Sequence, residues 1–98
     1  MKKATITLAL LIVSLIGFSQ NKTAKGKVLD INVRYPIPDA VVKVNDTSIS
    51  TSTNDAGKFS IEVPKKFNTI TIQHDDYLQK EIILKPGFQL RPLTIYLQ

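Results

Sequence analysis

His74, Asp75 and Asp76 form the one cluster in this 98-residue chain whose side chains could do chemistry. An imidazole beside two carboxylates could ligate a divalent cation, or act as a His–Asp dyad on a nucleophile. Either role requires the three groups to converge on a pocket that holds a further ligand or a nucleophile. The local pattern argues against convergence. Neighbouring residues on a strand point to opposite faces, so His74 and Asp75 should diverge. His74 also falls in phase with Ile70 and Ile72, as a strand-end residue over the core. With one His and no Cys, the chain cannot build a multi-histidine metal site on its own. Nor can it form a zinc–thiolate cluster, a thiol nucleophile or a disulfide. The sequence therefore predicts no catalytic residue, no metal and no cofactor.

The elements that would carry this cluster all have a period of two. Ala40, Val42 and Val44 alternate with Val41 and Lys43; Phe59, Ile61 and Val63 alternate with Lys58, Ser60 and Glu62. Ile70 and Ile72 alternate with threonines, and Leu93, Ile95 and Leu97 with Thr94 and Tyr96. Each segment reads as a strand with one face buried and one wet. Lys25 to Asp30, Ser48 to Thr53 and Gln79 to Leu84 read as three further strands. Between them lie the Tyr35–Asp39 loop with its two prolines, an Asn54–Gly57 hairpin turn, and breaks at Pro64–Lys66, Asp75–Asp76 and Lys85–Gly87. Seven short strands with turns every 8–12 residues predict an all-β, Greek-key β-sandwich.

Three domain-level expectations follow. Lys2 and Lys3 precede an apolar run from Ala4 to Phe18, with Gly17 and Ser19 placed for cleavage before Gln20. As a helix this run spans roughly 22 Å, short of a bilayer core of about 30 Å. Residues 1–19 therefore read as a signal peptide rather than an uncleaved anchor, and the chain as secreted or periplasmic, touching membrane only through that segment. Residues 20–24 read as a flexible leader and 25–98 as the folded domain. The whole chain has a net charge of +5; without Lys2 and Lys3, 11 basic residues face 8 acidic ones. The basic residues are scattered, with no stripe of interleaved aromatics, so no nucleic-acid partner is expected.

Three segments taken together resemble the carboxypeptidase regulatory-like domain. They are Gly26-x-Val28-x-Asp30; Pro36 to Val44; and Thr51-x-Thr53-Asn54-Asp55-Ala56-Gly57-Lys58-Phe59. The likeness continues through Ile70–His74, Asp75-Asp76-Tyr77 and Lys80–Ile82. It implies a seven-stranded prealbumin-like sandwich serving as an accessory module, of the kind that follows the catalytic domain of some metallocarboxypeptidases or precedes the plug of TonB-dependent outer-membrane transporters. Such domains also occur as short secreted proteins of Gram-negative bacteria. The chain departs from the family pattern at Asn54 and Ala56 in the turn, at His74 and at Asp76.

The physical roles of the matching residues can be stated apart from the family. Gly57 lets the chain turn back so that Phe59 enters the core. Gly26 opens the first strand, and Ala40 is small where the chain leaves the proline loop. Tyr77 covers a corner of the sandwich with a hydroxyl free to bond backbone. The functional expectation is a non-catalytic binding module with a protein partner in the cell envelope. Strand addition along the nearly uncharged Ser48–Thr53 segment is the expected mode. The alternative is a carbohydrate-binding module using Tyr35, Tyr96, Phe67 or Phe88 as a stacking surface.

Overall fold

Ala24, Gly26 and Val28 alternate with lysines along the first strand, and all three point inward and are buried. That strand, β1, runs Asn21–Asp30. The computed structural model describes residues 21–98, so the signal-peptide reading of 1–19 lies outside the described residues. The leader expected over residues 20–24 is corrected, because Asn21 to Ala24 already pair with Pro64 to Ile61 and Ala24 is fully buried. Its inward residues, Ala24 and Gly26, carry too little hydropathy for a strand to be read there.

Six further strands follow: β2 (Val41–Val44), β3 (Ser50–Ser52), β4 (Lys58–Pro64), β5 (Thr69–His74), β6 (Tyr77–Ile83) and β7 (Leu93–Leu97). They form two sheets, one ordered β4-β1-β7 and the other β3-β2-β5-β6. All pairings are antiparallel except that of β1 with β7, which is parallel. A single 3-10 turn, Phe88–Leu90, sits between β6 and β7.

The core is the layer between the sheets, as expected for a β-sandwich. One sheet contributes Val28, Phe59, Ile61, Val63, Ile95 and Leu97; the other contributes Val42, Val44, Ile70 and Ile72. The period-two residues of the sequence are the ones that meet there. One connection differs from expectation. Asn54–Gly57 has the hydrogen bonds of a tight turn, yet the strands it joins lie in different sheets. It carries the chain across the sandwich instead of closing a hairpin.

Candidate functional site

Asp30 ends β1 in one sheet and Tyr77 opens β6 in the other. The Tyr77 hydroxyl donates to Asp30 Oδ2 at 2.8 Å. The opposite oxygen, Oδ1, accepts from the backbone N–H groups of Asn32 at 2.8 Å and Val33 at 3.2 Å. Both carboxylate oxygens are therefore engaged, one across the sandwich and one in the turn that leaves β1. The expectation that Tyr77 bonds backbone is corrected: its partner is a side chain. The Tyr77 hydroxyl and the two turn amides hold the Asp30 carboxyl below its ordinary value of 3.8. The same hydrogen bond to Asp30, with burial and the nearby carboxylates, raises Tyr77 above its ordinary 10.0. The bond ties the end of β1 in one sheet to the start of β6 in the other, and the pair is a structural clasp.

His74 lies beside the clasp, its ring edge-on to Tyr77 with centroids 5.4 Å apart. Nδ1 accepts from the Asp76 backbone N–H at 3.1 Å. Asp75 and Asp76 make the two-residue turn between paired His74 and Tyr77, and neither has a positive φ. Two-residue hairpins favour primed turns, which need positive φ. Here the ladder is irregular between Ile72 and His74 instead. Two steps along β5, Ile72 to His74, face three along β6, Tyr77 to Lys80, so the extra residue lies in β6. His74 and Asp75, expected to diverge, both line one open cleft of about 670 Å³ with Asp39, Gln73, Tyr77 and Gln79. Asp76 does not line it. Among the described residues no three His, Asp or Glu side chains are placed to hold a metal ion.

The remaining residues singled out in the sequence build the frame. Gly57 has φ 73°, and a Cβ there would stand 2.7 Å from the Val28 carbonyl oxygen. Asn54 Oδ1 accepts from the N–H groups of Ala56 and Lys58, each at 3.0 Å. The amide oxygen thus organises this turn without a carboxylate. Phe59 is buried two residues on. Gly26 is needed for space, since a Cβ there would meet the Leu93 carbonyl oxygen at 2.7 Å and Phe59 Cε1 at 3.0 Å. Ala40 is fully buried.

Sequence reasoning missed Thr53. Its hydroxyl donates to the Ile37 carbonyl at 2.6 Å and accepts from the Ala40 N–H at 2.9 Å, fixing the proline loop to the end of β3. The signal was a threonine in a polar run whose phase puts it inward.

The segment expected to receive a partner strand is an end strand. β3 pairs with β2 alone, and Ser50 and Ser52 are exposed. Thr53 N–H donates to the Ala40 carbonyl and Val44 N–H to the Ile49 carbonyl. By the alternation of an antiparallel ladder, the backbone groups of Ser50 and Ser52 then face away from β2. At the opposite end of that sheet β6 is bonded near its start, the Leu78 N–H donating to the Gln98 carbonyl and Lys80 Nζ to the Tyr96 carbonyl, while Leu78 and Ile83 stay exposed. Of the aromatics considered for sugar stacking, Phe67 and Phe88 pack on the core and Tyr96 lies under the Arg34 guanidinium, 5.9 Å from its ring centre. Tyr35 alone of the four is widely exposed, at 71%.

A family model described as the CarboxypepD_reg-like domain matches residues 24–94. That span runs from the buried Ala24 into β7 and includes the turn, the clasp and both sheets. No curated protein and no solved structure matches the chain. Domains of this kind are generally non-catalytic β-sandwiches. The chain belongs to the CarboxypepD_reg-like domain family.

Proposed function

We propose that this protein is a non-catalytic accessory module of the cell envelope, secreted or periplasmic, that binds a protein partner by strand addition along β3 and serves outer-membrane transport. The observation that carries the reading is the β3 edge. Ser50 and Ser52 present unpaired backbone groups with no charged side chain, proline or bulge to blunt them. At the other end of the same sheet β6 carries Lys80 and Glu81, charged residues of the kind that blunt an edge, which β3 lacks.

A photo-crosslinking residue placed at Ser50 or Ser52 in the native organism tests it. One envelope protein should be captured from both positions, and the capture should be lost in Ser52→Pro, which removes an outward N–H on an edge where proline is tolerated. The absence of any crosslink from β3, or the same capture from a position on β6, overturns the reading. The non-catalytic part has its own test. Calorimetric titration should find no stoichiometric zinc or other transition metal, and His74→Gln should change stability by only about 1–2 kcal/mol. One tightly held metal that vanishes in His74→Gln would refute it.

A further inference from the structure

The outer face of the three-stranded sheet carries a cluster of lysines that neither the clasp nor the β3 edge uses. Since Ala24, Gly26 and Val28 point inward, Thr23, Lys25, Lys27 and Leu29 form the outward row of β1. Lys27 stands directly opposite Lys58 on β4, and Lys25 opposite Ser60. On the other flank Lys27 is level with Thr94 of β7.

The hydrogen bonds fix the kind of pair this is. Val28 N–H donates to the Gly57 carbonyl at 2.8 Å, whereas the backbone N–H and C=O of Lys58 are both engaged by Asn54. Lys27 and Lys58 are thus a non-hydrogen-bonded pair, the type whose side chains lie closest. Like charges directly opposite destabilise a sheet. Glu62, the acidic residue on this face of β4, sits at the far end opposite Thr23 and does not line the space between the lysines.

That space is a hollow of about 480 Å³, walled by Lys25, Lys27, Lys58, Pro92 and Thr94 over the rung that contains Gly26. Its size falls in the range of small-molecule sites, about 300–1,000 Å³, and exceeds what a bare inorganic anion would fill. The lysine stems and Pro92 offer apolar surface to a ring, while the ammonium groups offer positive charge at its edge. Thr94 adds a hydroxyl for a neutral polar group. Phe59 and Leu93, the rung partners of Gly26, also border the hollow, but Phe59 is buried and Tyr96 is covered by Arg34, so no exposed aromatic is there to stack a base.

We propose that this face binds an anionic saccharide, a sugar bearing a carboxylate or phosphate, with the charge held by Lys27 and Lys58 and the ring seated over Gly26 between Lys25 and Pro92. The site lies in the sheet that does not contain β3, so it goes beyond the strand-addition reading and stands or falls separately.

Calorimetry on the folded protein at low ionic strength tests it. The ligands are a galacturonate tetramer, the neutral galactose tetramer, glucose 6-phosphate, inorganic phosphate and an oligothymidylate of matched charge. The uronate tetramer or the phosphosugar should bind, the neutral tetramer should not, and Lys27→Gln and Lys58→Gln should each weaken binding at least tenfold. The same two variants should melt at a higher temperature than the parent, because each relieves the like-charge pair. A misfolded variant could not give that combination. Three results overturn the proposal: no binding of either acidic sugar, affinity unchanged in both lysine variants, or equally tight binding of inorganic phosphate or oligothymidylate.

Discussion

Asp30 is engaged at both oxygens, and this sets how the protein should respond to acid and base. Its carboxyl sits below 3.8 in the folded state because Tyr77 and two turn amides bond the ionised form. That contribution is complete above the unfolded value and is lost as pH falls through the lowered folded one. Tyr77 is shifted the other way, above 10.0, so its contribution is complete below the unfolded value and fades as pH rises through the raised one. Tyr77→Phe should therefore lower the melting temperature at neutral pH and flatten both limbs of its pH profile, as thermal melts from acid to alkaline pH would read. A variant whose acid limb matched the parent's would mean the clasp contributes nothing. Thr53→Val keeps the volume but leaves the Ala40 N–H and the Ile37 carbonyl without their buried partner. It should cost about 1–3 kcal/mol by denaturant unfolding. At this scale the sequence was partly legible. Asp30 and Tyr77 were both marked by the family pattern, but no local spacing relates residues 47 apart to each other. Thr53 looked like one more hydroxyl in a polar strand, since its phase is marked only by threonines and a single Ile49 and not by an apolar row.

Strands were easier to read than sheets. β2, β4, β5 and β7 lie where apolar residues recur every second position, because one-sided burial imposes that period, whereas β3 is wholly polar and β6 is exposed along most of its length. The ends of β1 and β3 were missed for opposite reasons. β1 begins four residues earlier because Ala24 is a weak marker, and β3 is shorter than Ser48–Thr53 because both ends are drawn into loop hydrogen bonds. Membership of the two sheets could not be read, since a tight turn has the same local residues whether it closes a hairpin or crosses the sandwich. Two substitutions probe the first sheet at one rung. Phe59→Ala removes a buried ring and should cost about 3–5 kcal/mol. Gly26→Ala presses a methyl group against the Leu93 backbone and Phe59 and should cost about 1–3 kcal/mol, both measured as shifts in denaturant midpoint. A Gly26→Ala protein as stable as the parent would show that β7 is free to move away from β1.

The molecule as a whole is held by the parallel pairing of its first described strand with its last, Gly26–Asp30 against Leu93–Leu97. Most of the three-stranded sheet's inward surface flanks β1, which pairs on one side with residues about 35 positions later and on the other with residues about 67 positions later. Contacts so distant in sequence make folding slow and strongly cooperative. A chain ending at Pro92 keeps six strands but leaves one side of β1 open. It should show no cooperative thermal transition by circular dichroism, whereas a two-state melt from that shortened chain would refute the point. The pairing also acts as a timer on biogenesis. Until residues 93–97 have emerged, β1 has half of its ladder, so the preceding strands have no native state within reach and the domain closes in one step when β7 arrives.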